Sequence, residues 1–185
     1  MKINLSLLLP IFLISTAVLA SEKMPENTAA QMPEKTVIIN KISALGIGST
    51  IGSVKLADGP NGLIITPNLA ELAPGAHGFH IHTNPSCAAG LKDDKPVAGL
   101  AAGGHYDPAT SNKHEGPNGA GHMGDMPILQ VAMDGTATQP IVVPRLKIAD
   151  VLKRAIIIHE AGDNYSDSPK PLGGGAGRVA CGIIE

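Results

Sequence analysis

The sequence predicts an all-β domain of eight short strands, folded as a sandwich or flattened barrel and carrying two long functional loops. Three observations lead there. Short apolar runs rich in Val and Ile recur from residue 36 onward, each bounded by Gly, Pro, Asn or Asp, the pattern of antiparallel strands joined by turns. The 185 residues include no Trp, two Phe and two Tyr. A core must therefore come from Ile, Leu, Val, Ala and Met, which suits packing between strands. Finally, residues 84–127 and 161–177 interrupt the rhythm with Gly, Pro and polar residues, and loops of that length in a compact domain usually carry function.

Residues 1–20 stand apart from that domain. Lys2 supplies a positive start, residues 5–19 are almost continuously apolar, and Val18-Leu19-Ala20 places small residues at a cleavage position, the layout of a signal peptide. The apolar run contains Pro10 and is shorter than the roughly 18 to 20 residues of a membrane span, so export without a membrane anchor is expected. Residues 21–36 are polar, proline-bearing and without period, and are expected to form a flexible leader. The domain then occupies 37–185. Its expected strands are 37–42, 52–57, 63–66, 78–83, 128–133, 140–143, 155–159 and 179–184. Residues 146–156 have an apolar spacing compatible with a short helix or a turn, and the choice stays open.

The formal net charge is −2. Removing Lys2 with the signal peptide makes it −3, so there is no basic surplus for nucleic acid or anionic lipid. Two cysteines, Cys87 and Cys181, remain in the mature chain, and in an oxidising compartment such a pair can bridge.

Six of the seven histidines sit in short motifs: Gly78-Phe79-His80-Ile81-His82, Gly103-Gly104-His105-Tyr106-Asp107-Pro108, His114-Glu115-Gly116-Pro117, His122-Met123-Gly124-Asp125 and His159-Glu160. Imidazole is the usual protein ligand for copper and zinc, and carboxylate completes many zinc sites. The motifs read as a two-metal site. His80 and His82, two apart on a strand, leave the same face and can converge on one ion. His77, three before His80, points the other way and is expected to bond to backbone. His122 and Asp125 can chelate from a tight bend, with His114 arriving from the preceding loop.

In this order, with Cys87 and Cys181 and the ending Gly177-Arg178-Val179-Ala180-Cys181-Gly182, the motifs resemble the copper/zinc superoxide dismutases over residues 37–184, and closely the secreted bacterial branch. The resemblance implies a Greek-key topology, a periplasmic location, superoxide as substrate, and one copper and one zinc per subunit. It assigns copper to His80, His82, His105 and His159, and zinc to His105, His114, His122 and Asp125. Four protein ligands leave zinc no open position, so its implied role is structural. Copper would alternate between two oxidation states, with His105 leaving it on reduction to accept and later donate a proton. The resemblance also places Arg178 beside the copper channel to attract a small anion, sets Asp163 between His80 and His114, and ties the ligand loop to Arg178's strand by a Cys87–Cys181 bridge. Steering charge is expected from Lys92-Asp93-Asp94-Lys95, because residues 164–172 hold a single lysine. The resemblance leaves a homodimer and a monomer both open.

Overall fold

The structure is a computed structural model that describes residues 33–185. The signal peptide expected at 1–20, and the expected leader as far as residue 32, lie outside the described residues. All eight expected strands are present, most with shifted ends. They are β1 (Glu34–Ser43), β2 (Gly46–Gly59), β3 (Gly62–Leu69), β4 (Gly75–His77) with β5 (Phe79–His82), β8 (Leu129–Val131), β9 (Ile141–Val143), β10 (Arg154–His159) and β11 (Arg178–Ile184). β6 (Gly90–Lys92) and β7 (Lys95–Val97) add a small hairpin inside the first long loop. The open question at 146–156 resolves into a single helical turn, α1 (Ile148–Val151), followed by β10. The turn buries Ile148 and Val151 and is held at its start by the Asp150 carboxylate accepting the Lys147 N–H.

β1 begins at Glu34, inside the stretch 21–36 expected as leader. Glu34, Lys35 and Thr36 pair with Ala57, Leu56 and Lys55 of β2, and Lys55 Nζ lies 2.7 Å from a Glu34 carboxylate oxygen. Backbone pairing extends the strand through residues that carry no apolar signal.

Seven strands form one antiparallel sheet in the order β5-β10-β11-β1-β2-β3-β9. From β3, near one end of this order, the chain crosses to β4 and β5 at the other end, which is the Greek-key connection. β4, separated from β5 by Gly78, pairs with β8, and the Ala132 N–H to Thr136 carbonyl bond (2.8 Å) turns the chain from β8 toward β9. Taking β4 and β5 as one interrupted strand, the result is an eight-stranded curled arrangement. Its interior is filled by Ile39, Leu56, Leu63, Ile65, Phe79, Ile81, Ile156 and Ile158, all fully buried. Among the described residues no helix is long and apolar enough to cross a membrane.

Two features of this frame position the loops. Cys87 and Cys181 are bridged across 94 residues, with Cα atoms 5.7 Å apart, and sit in a second buried cluster with Ile42, Ala102, Ala155 and Ile157. In the chain-entropy description, a closure of that length contributes about 4 to 5 kcal/mol. The outer edge of β5 is covered by the first long loop. Ile81 donates to the Gly124 carbonyl (3.0 Å), Tyr106 donates to the Ile81 carbonyl (2.8 Å), and Gly124 donates to the Tyr106 carbonyl (2.8 Å). A Cβ at Gly124 would meet the Ile81 carbonyl oxygen at 2.3 Å, so only glycine lets the loop lie this close.

Candidate metal centre

Alternation along β5 decides which side chains reach the site. Phe79 and Ile81 enter the core, and His80 and His82 leave by the opposite face, where the covering loop brings His105 opposite His82 and Asp125 opposite His80. His159 ends β10, next in the sheet. All six motif histidines and Asp125 are buried.

They form two clusters in which one potential ligand atom per residue lies within 4.8 Å of the others: His80, His82, His105 and His159, and His80, His105, His114 and Asp125. His105 belongs to both. His80 joins the second because its ring stacks on His105 with centroids 4.0 Å apart. His122 lies just outside that tight group, its Nδ1 3.5 Å from an Asp125 oxygen and its ring centroid 5.4 Å from that of His105.

Hydrogen bonds hold the outer nitrogens. His80 Nε2 and His114 Nε2 bond the two oxygens of Asp163 at 2.7 and 2.8 Å, so one carboxylate joins the clusters. His82 Nδ1 donates to the Gly103 carbonyl (2.9 Å), and Arg178 donates to the same carbonyl (2.8 Å) and to that of Gly99. His105 Nδ1 lies 2.8 Å from Asp125 Oδ1. His77, as expected, bonds backbone only, with its nitrogens 2.7 Å from the carbonyls of Ala73 and His159.

What remains is informative. Among the described residues, the buried side-chain nitrogen and oxygen atoms without a hydrogen-bond partner are His80 Nδ1, His82 Nε2, His105 Nε2, His114 Nδ1, His122 Nδ1, Asp125 Oδ2 and both nitrogens of His159. All of them belong to this site. Orphaned buried polar atoms are costly and rare, and a set that converges in one place has the donor chemistry of a metal site.

The electrostatics agree. Burial, then the neighbouring His80 ring, holds His105 down to about 4, and burial also lowers His80, brings His82 well below its ordinary value and takes His159 to about 2. These rings are neutral at pH 7, with lone pairs free for a metal. His114 differs. Burial opposes its charge, but the Asp125 carboxylate 2.9 Å from its Nδ1 and the hydrogen bond to Asp163 win and raise it to about 9. For the two aspartates burial is likewise outweighed, by the bond from His105 and the adjacent His114 ring at Asp125 and by bonds from His114 and His80 at Asp163, so both fall below the usual carboxylate range.

Above the first cluster lies a cleft of about 420 Å³ whose walls include His105, His159, Arg178 and Lys170. Lys92 and Lys95, where steering charge was expected, are exposed on the β6–β7 hairpin and are not among its walls. The hairpin turns outward at Asp93 and Asp94, both with positive φ. The cation added to Arg178 at the cleft is the single lysine of the 164–172 loop.

Residues 50–184 match the family described as copper/zinc superoxide dismutase. A copper-zinc superoxide dismutase of Salmonella typhimurium is 52% identical over 157 residues, covering 84% of this chain and 91% of the relative. One from Brucella abortus is 47% identical over 177 residues, covering 95% and 98%. The chain belongs to the copper/zinc superoxide dismutase family. The Brucella abortus enzyme's solved structure superposes with a TM-score of 0.82 at 49% identity, covering 83% of this chain and all of that one. The solution structure from Salmonella enterica, described as a monomeric copper, zinc superoxide dismutase, gives 0.76 at 51% identity with the same coverage.

As a superoxide dismutase the chain uses several residues that its motifs do not reveal. Asp167 accepts the backbone N–H groups of His114 (2.9 Å) and Leu172 (3.0 Å), tying the two long loops together. Gly173 packs directly against Asp163 and His114. Arg145 reaches four carbonyls of the loop between His114 and His122. None has a local signal, because each acts through a contact between distant segments.

Proposed function

We propose that the mature chain dismutates superoxide in the periplasm, with one copper held by His80, His82, His105 and His159 and one structural zinc held by His105, His114, His122 and Asp125. The observation that supports this ligand set is the orphan-atom pattern: each of these residues has an unpaired buried nitrogen or oxygen, His159 has two, and at His105 the unpaired atom is Nε2 while Nδ1 turns to Asp125. Copper, when bound, supplies the electron exchange, taking an electron from one superoxide and returning it to a second. The chain supplies the rest. Asp163 fixes the ring orientations of His80 and His114, as outer carboxylates do for metal-bound imidazoles. The Gly103 carbonyl aligns His82 and Arg178 together, so the guanidinium stands where a small anion entering the cleft meets a fork of donors. His105, which lines the cleft, has its Nε2 unpaired, and that nitrogen would take up and give back a proton.

A periplasmic location is supported by the apolar segment at 1–20, by the Cys87–Cys181 bridge and by the bacterial relatives. The experiment is metal analysis of the purified mature chain together with a superoxide assay. About one copper and one zinc per subunit with catalytic turnover is the expected result, and a fully loaded chain without turnover overturns the reading.

Guidance of the anion makes a separate prediction. Lys170→Glu changes the cleft by two charge units, worth about 0.8 kcal/mol at about 10 Å in a water-like medium, or about fourfold in kcat/KM at low salt. The difference from the parent chain should shrink as ionic strength rises, and Lys92→Glu should change little. Stopped-flow rates across a salt series decide between Lys170 and the hairpin as the source of steering.

A further inference from the structure

Residues 116–121, Gly-Pro-Asn-Gly-Ala-Gly, form most of the connection from His114 to His122. Half of them are glycine, so the segment loses much chain entropy when it is held in one shape. Gly116, Pro117, Gly121 and His122 are nevertheless buried, and their carbonyls require partners. One side chain reaches all four, although the Gly116 and His122 carbonyls also accept the Gly119 and Asp125 N–H groups at 3.4 and 3.3 Å. Arg145 Nε donates to Pro117 (3.0 Å), Nη1 to Gly121 (3.2 Å), and Nη2 to Gly116 (3.1 Å) and to His122 (2.7 Å).

Arg145 is itself fixed to the barrel. It follows β9, and the next residue, Leu146, is buried in the core. Lys147 Nζ then donates to the Gly59 carbonyl (2.6 Å), and the Ile148 N–H to Asp58 Oδ1 (2.8 Å), both at the end of β2. The guanidinium is a planar fork of five donors in fixed directions, whereas an ammonium is a compact charge with three.

We propose that Arg145 is a positioning residue for zinc, holding the loop from His114 to His122 so that His114, His122 and Asp125 converge before the ion arrives. Its hydrogen bonds go to backbone carbonyls, and the one to His122 is to that residue's carbonyl. The proposal rests on the reading of those three residues, with His105, as the zinc ligands.

The test measures zinc and copper affinities of the full mature chain, parent and variant, by competition with chelators of known strength. Arg145→Gln removes the fork, and Arg145→Lys keeps the charge without it. Both are expected to weaken zinc about tenfold or more and to leave copper affinity within about twofold. Unchanged zinc affinity overturns the proposal. So does an equal loss for both metals, the mark of a residue that merely stabilises the barrel. If Arg145→Gln does not fold, Arg145→Lys decides alone by the same ratio. His122→Ala separates the two levels of inference: if it leaves zinc affinity intact, the ligand reading fails, and the Arg145 proposal is overturned with it for a reason the parent measurements reveal.

Discussion

Replacing His105 with alanine is expected to lower kcat/KM for superoxide by more than about a hundredfold, beyond the 10- to 100-fold typical when a supporting partner of a metal ligand is lost. This ring alone contributes to both proposed ligand sets. Its centroid lies 5.0 Å from that of His82 and 5.3 Å from that of His114, and its two nitrogens divide between an unpaired position at the proposed copper cluster and Asp125 at the proposed zinc cluster. Alanine would remove a donor from each set and break the only shared side chain of the proposed pair. The signature is spectroscopic as well as kinetic. In the parent chain, withdrawing zinc should alter the copper paramagnetic resonance spectrum, and in the variant it should have no further effect. A variant that keeps activity within about fivefold of the parent would show that His105 serves neither set.

Gly173→Ala should have the second largest effect, although no ligand is replaced. Gly173 has φ +70, and a Cβ there would lie 1.9 Å from Asp163 Oδ1 and 2.8 Å from His114 Nε2. Both atoms belong to the bridge that joins His114 to Asp163. The methyl group cannot be fitted by rotating a flexible side chain, because Asp163 is held on its other oxygen by His80 and its Oδ1 also accepts the Tyr165 N–H (2.7 Å). The left-handed backbone adds a penalty of about 1 to 2 kcal/mol for alanine. Zinc affinity is expected to fall about 10- to 100-fold, and the thermal transition of the zinc-loaded chain should move down with it. Chelator competition and a melting curve measure both. Zinc affinity equal to that of the parent would mean that the Asp163 bridge does not orient His114.

How much of this could be read from the sequence follows from how local each signal is. Alternation places Phe79 and Ile81 in the core and therefore His80 and His82 on the other face, and the structure has that arrangement. The start of β1 at Glu34 is invisible to hydrophobic pattern because its first residues are polar and are ordered by pairing with β2. The β6–β7 hairpin is hidden for a different reason: its turn uses Asp93-Asp94 at positive φ where Asn-Gly or Asp-Gly is the readable signal. The histidine motifs are dense enough in sequence to be recognised, and the resemblance supplied Asp163, which the structure sets between His80 and His114. Lys170, Gly173 and Arg145 carry no such mark. Each matters through one tertiary approach, to the cleft, to the carboxylate bridge and to four loop carbonyls respectively, and composition or spacing does not encode such approaches.

In the proposed site one imidazole, that of His105, joins two different metals. Diffraction from crystals of the loaded chain, with anomalous maps collected at the copper and zinc absorption edges, tests it directly. The maps are expected to show a copper peak enclosed by His80, His82, His105 and His159, and a zinc peak enclosed by His105, His114, His122 and Asp125, with one His105 nitrogen about 2.0 to 2.1 Å from zinc and the other facing copper. A single metal in the site, or two metals with His105 bound to neither, would contradict it.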